Sequence, residues 1–176
     1  MSTRGVDRAG LAALLPVRAD AAPTLAQLLE GLGSPSPFAR IERTHFARLL
    51  LMPLLLDADG DELSSLPRCL LFAAEFDGSA GGYVESVCQL MGEEAQAIFD
   101  HCEDFPGVCR PVAVRSWLFA HRVRAGFSLH GHPGATVAEV RASLRLREQL
   151  IAFALATRSV DPAAFARYWA ARPWRR

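Results

Sequence analysis

Two histidines stand two positions apart in residues 128–139, which read SLHGHPGATVAE. On a strand, side chains two residues apart point to the same face, so His130 and His132 could approach one ion together. Imidazole nitrogen is a common ligand of zinc, iron and copper. We therefore predict His130 and His132 as metal ligands, with a transition metal or haem as the expected cofactor. The alternative is a turn that carries two histidines.

Three further polar residues lie in segments that resemble strands. The alternation of side chains puts Glu75 and Asp77 on one face of residues 68–78, and His45 lies in residues 43–56. A carboxylate beside an imidazole fixes its tautomer and raises its basicity, which suits acid–base catalysis. We predict His45, Asp77 and Glu75 as catalytic residues. The alternative is a polar sheet end in solvent or a polar dimer interface.

The turn that follows the histidines leads into a helix. Thr136 and Glu139 have the T-x-x-E spacing of a capping box. Free N–H groups at a helix N-terminus can bind a phosphate or a carboxylate, so we predict Gly134 and Thr136 as ligand-binding residues. The alternative is an ordinary capped turn between a strand and a helix.

Hydrophobic periodicity predicts the elements that position these residues. Strands are expected at residues 43–56, 68–78 and 125–132, and the first two should pair as an antiparallel hairpin. In the first strand, Arg43, His45 and Ala47 are expected to share a face. Helices are expected at 24–33, after Gly82 to Cys102 with a kink or division at Gly92, at 111–123, at 136–156, and from Asp161 onward.

This order of elements predicts an α+β fold, with a small ferredoxin-like sheet, antiparallel or mixed, and helices on one face. We assign residues 1–22 to a flexible leader, residues 23–158 to the α+β domain, and residues 159–176 to a C-terminal amphipathic helix. That last helix combines aromatic residues with arginine, which suits packing on its own domain, on a partner or, less well, on a membrane surface.

Composition narrows the function classes. The chain has 176 residues and no net charge, and all 19 basic residues are arginines spread along the sequence, which argues against nucleic-acid binding. Its apolar runs are too short for a secretory signal or a membrane span, so we expect a cytoplasmic protein. The cysteines form no CxxC pair and suit buried thiols, and a bridge between Cys102 and Cys109 stays open.

Three motifs resemble those of a family of uncharacterised bacterial α+β proteins. They are His-Phe-x-Arg at 45–48, Phe-Asp-Gly at 76–78 and His-Cys-Glu-x-x-Pro at 101–106, within a resemblance that covers residues 40–155. The fold is similar to that of dimeric α+β barrels, which include haem peroxidases and small monooxygenases. The resemblance implies a haem or small aromatic ligand, with His45 or His121 as the axial ligand. We assign His121 and Arg48 to ligand binding.

These observations predict a domain that binds a small ligand, haem or a metal, with an oxidoreductase-type activity as the enzymatic interpretation. The alternative is a non-catalytic module for dimerisation or partner binding. We expect a homo-oligomer or a protein partner, no nucleic acid, and no membrane association.

Overall fold

The computed structural model describes residues 8–52, 68–124 and 134–171. These ranges contain three strands, six α-helices and one turn of 3-10 helix. Their bounds are β1 Arg8–Pro16, α1 Ala22–Glu30, the 3-10 helix Pro37–Arg40, β2 Thr44–Leu51, β3 Cys69–Asp77, α2 Ala80–Leu90, α3 Gly92–Phe99, α4 Pro111–Ala120, α5 Val137–Thr157 and α6 Pro162–Ala170.

The strands form an antiparallel sheet in the order β1-β3-β2. Residues 121–123 lie along the other edge of β1, where the Leu14 N–H donates to His121 O (3.1 Å) and the Val123 N–H donates to Ala12 O (2.8 Å). Since β1 and β2 flank β3 and are connected through α1, this is the split β-α-β arrangement of ferredoxin-like folds. The predicted fold class is confirmed, and the described strands pair only in the antiparallel sense.

Strand β1 lies within the residues that the sequence analysis assigned to a flexible leader, and that prediction was wrong for Arg8–Pro16. Leu11, Ala13 and Leu15 are buried, while the residues between them point to the other face. The strand pairs with β3 along its whole length. An apolar residue at every second position is the pattern of a half-buried strand, but the residues between them, Ala12 and Leu14, are apolar as well and obscured it.

One face of β3 forms the centre of the hydrophobic core. Leu70, Phe72, Ala74 and Phe76 are buried, as their alternation predicted. Phe72 stacks on Phe38 with ring centroids 6.0 Å apart and meets the edge of Phe99 at 5.8 Å. Phe76 stacks on Tyr83 of α2 at 4.0 Å. The aromatic contacts therefore attach the helical layer to this face of the sheet.

The helices begin and end largely where the sequence predicted. The helix after Gly82 divides at Met91 and Gly92 into α2 and α3, and Pro111 opens α4. Gly78, with a φ of 92°, allows the sharp turn from β3 into α2. The predicted strand at 125–132 and the loop at 57–67 lie outside the described residues.

The chain divides into two compact units, residues 1–137 and residues 138–176, rather than at the predicted boundary between residues 158 and 159. In the second unit, Phe153 of α5 is buried against Phe165 (5.5 Å) and Trp169 (5.6 Å) of α6. Asp161 caps α6, since its carboxylate accepts the N–H groups of Ala163 and Ala164. No helix among the described residues is both long and apolar enough to cross a bilayer.

Candidate functional site

A bulge at the start of β2 brings His45 to Asp77. Thr44 pairs with Phe76 and Phe46 pairs with Glu75, so His45 is the extra residue between them. Its Nε2 lies 2.8 Å from Asp77 Oδ1, and both side chains are only 14% exposed. The predicted approach of His45 and Asp77 is thus present. The predicted common face for His45 and Ala47 was wrong, because Ala47 packs against the core and the bulge redirects His45.

The guanidinium group of Arg8 completes this cluster. Its Nη2 lies 3.2 Å from Nδ1 and 3.0 Å from Nε2 of His45. A guanidinium group can only donate hydrogen bonds, and an ionised carboxylate can only accept them. When the proton of His45 is on Nε2, that nitrogen donates to Asp77, and Nδ1 is then the ring nitrogen that can accept from Arg8. The imidazole connects a cation to an anion, and both of its nitrogens are engaged.

This cluster also holds the backbone in front of α5. The second oxygen of Asp77 accepts the N–H of Val137 (2.8 Å), the first residue of α5. Arg8 donates to the carbonyl oxygen of Ala135 (2.7 Å). An acidic side chain at a helix N-terminus is favourable both as a cap and by its charge. An external anion at Gly134 and Thr136 would need free N–H groups at the start of α5. One of these, the N–H of Val137, is already bonded to the carboxylate of Asp77.

A basin lies beside the cluster, on the sheet face opposite to the core. It encloses about 580 Å³. Arg8, Arg122, Arg124 and Glu75 supply its charged groups, and Phe46 forms an apolar wall. Of the predicted catalytic residues, Glu75 therefore lines this basin, two residue pairs along the sheet from the pair of Arg8 and Asp77.

The floor of the basin consists of small residues: Gly10 and Ala12 of β1 and Ala73 of β3. Gly10 does not have a positive φ, and a Cβ added to it would meet no atom closer than 3.8 Å, the carbonyl oxygen of Ala74. Neither the backbone conformation nor the packing of the described residues therefore requires glycine at this position. A glycine inside a strand weakens that strand, and it often marks a place where a ligand approaches the backbone.

The remaining predicted site residues within the described ranges are not among those that line the basin. Arg48 lies over the ring of Phe46, 5.3 Å from its centroid. His121 ends α4, with its Nδ1 2.9 Å from Trp117 O and its ring against that indole. Gly134 is exposed and Thr136 is half-buried before α5. His130 and His132 lie outside the described residues.

The two histidines considered for haem do not present a free imidazole in an apolar pocket, which an axial ligand requires. His45 lies between Arg8 and Asp77, and His121 is bonded to its own helix end. Within residues 8–52, 68–124 and 134–171, no three His, Cys, Asp or Glu side chains come together as a metal site. The described residues thus fit neither haem nor a multidentate metal site.

Residues 101–103, which contain the His-Cys-Glu motif, lie beside the end of β1. Its backbone pairs with the end of β1, since the Glu103 N–H donates to Pro16 O (2.8 Å) and the Arg18 N–H donates to His101 O (3.0 Å). Burial raises the pKa of the Cys102 thiol to about 12, so it is not a thiolate nucleophile at neutral pH. Cys102 is buried, Cys109 is exposed, and both are free thiols, which answers the question of a bridge between them.

Several residues of the basin were not predicted from the sequence. Arg8 and Gly10 were missed because their strand was assigned to the leader, although Gly10 within an alternating segment was a usable signal. Arg122 and Arg124 follow α4 and reach the basin because residues 121–123 run along β1. No local pattern in the sequence reveals that pairing.

Two of the three motifs that suggested a family resemblance lie next to each other in the sheet. The His-Phe-x-Arg motif opens β2 and the Phe-Asp-Gly motif ends β3, which is why His45 and Asp77 come together. The resemblance itself stays a prediction. No protein-family model, no curated protein and no solved structure matches the chain.

Proposed function

We propose that this chain is a small-ligand-binding α+β domain and that its binding site is the basin beside Arg8. A volume of about 580 Å³ falls within the usual range of small-molecule sites, roughly 300–1,000 Å³. An apolar wall and floor with a few charged groups at the rim is also the usual composition of such sites. The main support for this proposal is Gly10, whose missing side chain leaves space that no residue of the described ranges fills.

The proposal concerns binding rather than redox chemistry. The oxidoreductase-type activity expected from the sequence stays a prediction, because His130 and His132 lie outside the described residues and the described side chains form no metal site. The cluster of Arg8, His45 and Asp77 has a structural explanation. His45 is hydrogen-bonded to both Arg8 and Asp77, and Asp77 also accepts the N–H of Val137 at the start of α5. A catalytic role for His45 as a base at Nδ1 would require Arg8 to move away from that nitrogen.

Replacing Gly10 with valine tests the binding site. The valine side chain should fill the basin floor, and we expect affinity for a bound probe to fall about tenfold or more because contact area is lost. The free energy of unfolding should stay unchanged or rise by about 0.5–1 kcal/mol, since valine suits a strand better than glycine. Affinity is measured by fluorescence titration with 2-naphthoate and 2-naphthamide, and stability by urea unfolding.

The matched control is Gly33→Val. Gly33 follows α1, and a Cβ there would meet no atom within 4 Å, so the same chemical change occurs away from the basin. This variant should bind the probes like the unchanged protein. If Gly10→Val lowered stability well below the control, the space would belong to the folded core, and the proposed binding site would be wrong.

The alternative function is dimerisation through the same sheet face. Leu14, Leu71 and Leu50 form one row across the three strands, and Leu14 and Leu50 are 37% and 42% exposed. Two copies related by a twofold axis would cover each other's row in an isologous contact. In that case the protein should sediment as a dimer, and Leu50→Ser should shift it to a monomer. A monomer at micromolar concentrations before the substitution would contradict the alternative.

A further inference from the structure

The charged groups around the basin are unequal in number. Three guanidinium groups, those of Arg8, Arg122 and Arg124, line it together with one carboxylate, that of Glu75. Like charges that converge on one small space repel each other, and an anion placed between them relieves that repulsion. The basin therefore has the electrostatic character of an anion site.

Two of these arginines, Arg122 and Arg124, form no ion pair with another residue of the described ranges. Arg8 already bonds to His45 and Ala135. Arg122 makes a long hydrogen bond to Gly10 O (3.3 Å) at an exposed position, and Arg124 is exposed. Guanidinium groups match carboxylates through paired, parallel hydrogen bonds.

The rest of the basin suits a flat apolar body. Gly10, Ala12 and Ala73 present a floor without long side chains, and the wall is the ring of Phe46, which is 44% exposed. Aromatic and unsaturated molecules pack well against such surfaces. Because Glu75 adds a negative charge to the rim, a singly charged ligand fits better than a doubly charged phosphate.

From these contacts we infer that the ligand is a small organic monoanion, a carboxylate on a flat apolar body, with the carboxylate held by Arg122 and Arg124. This inference rests on the proposed function, because it names the ligand class of the same basin. The flat body lies over Gly10 and Ala73 beside Phe46. It is a binding assignment and includes no covalent step.

The test compares 2-naphthoate with its uncharged analogue 2-naphthamide, with inorganic phosphate as a competitor. We expect naphthoate to bind at least about tenfold more tightly than the amide, since hydrogen bonds to charged groups are the stronger kind. The double variant Arg122→Gln/Arg124→Gln should remove that preference and keep the fold. Arg145→Gln, an exposed arginine of α5, serves as the matched control and should change nothing.

The binding experiments distinguish an error in the ligand class from an error in the binding site. Equal binding of acid and amide, with both lost in Gly10→Val, would overturn the anion class and leave the binding site in place. Displacement of naphthoate by phosphate at equal concentration would overturn the requirement for a flat apolar body. If neither naphthoate nor naphthamide bound to the unchanged protein, the ligand class and the proposed site would both be wrong. Affinity for naphthoate should also fall as salt increases, because the arginines are exposed.

Discussion

Replacing Phe72 with alanine is expected to lower the free energy of unfolding by about 3–5 kcal/mol, the usual cost of truncating a buried aromatic residue. Phe72 is fully buried on the central strand and contacts Phe38 of the 3-10 helix and Phe99 of α3. Alanine would remove the apolar contacts and leave a cavity that these neighbours cannot fill without moving. Urea unfolding followed by circular dichroism measures the change.

The matched control is Phe46→Ala on the other face of the same sheet. Phe46 is 44% exposed and lines the basin, so its removal should cost well under half as much as the loss of Phe72. The comparison also tests the bulge at His45, because a regular β2 would turn Phe46 toward the core. Equal losses of stability in the two variants would contradict the assigned faces.

The sequence predicted β3 well because a single physical rule determines it. Alternating apolar residues put Phe72 and Phe76 on one face and Glu75 and Asp77 on the other, as observed. Strand β1 follows the same rule, but after Arg8 its outward positions are Gly10, Ala12 and Leu14, which are not polar. Gly10 and Ala12 line the basin, so the small residues that helped to hide the strand also form the floor of the candidate site.

The site itself was only half predictable. The pairing of His45 with Asp77 follows from adjacent strands, although a bulge, which residue type does not reveal, makes their contact. Arg8 contacts Ala135 across 127 residues of sequence. No local periodicity encodes a contact over that separation, since it depends on how the whole sheet and the segment before α5 come together.

Replacing Asp77 with alanine is expected to lower the free energy of unfolding by about 2–4 kcal/mol. The carboxylate accepts hydrogen bonds from His45 Nε2 and from the backbone of Val137, and it is largely shielded from water. Alanine would leave the imidazole N–H and the first amide of α5 without a partner. Unfolding in urea gives the total loss, and hydrogen exchange at Val137 reports the loss at the helix start.

Asp77→Asn separates the two contacts, because the amide has one oxygen in place of two and its NH₂ group cannot accept a hydrogen bond. Asparagine can keep the bond from Val137 or the bond from His45, but not both, so its loss of stability should lie about midway between zero and that of alanine. Asp20→Ala, an exposed acid near the start of α1, controls for removal of a carboxylate and should change stability by less than about 0.5 kcal/mol. If Asp77→Ala behaved like Asp20→Ala, the cluster would not stabilise the fold. The paired histidine and carboxylate would then need a functional explanation, which makes this substitution informative about the site whichever result is obtained.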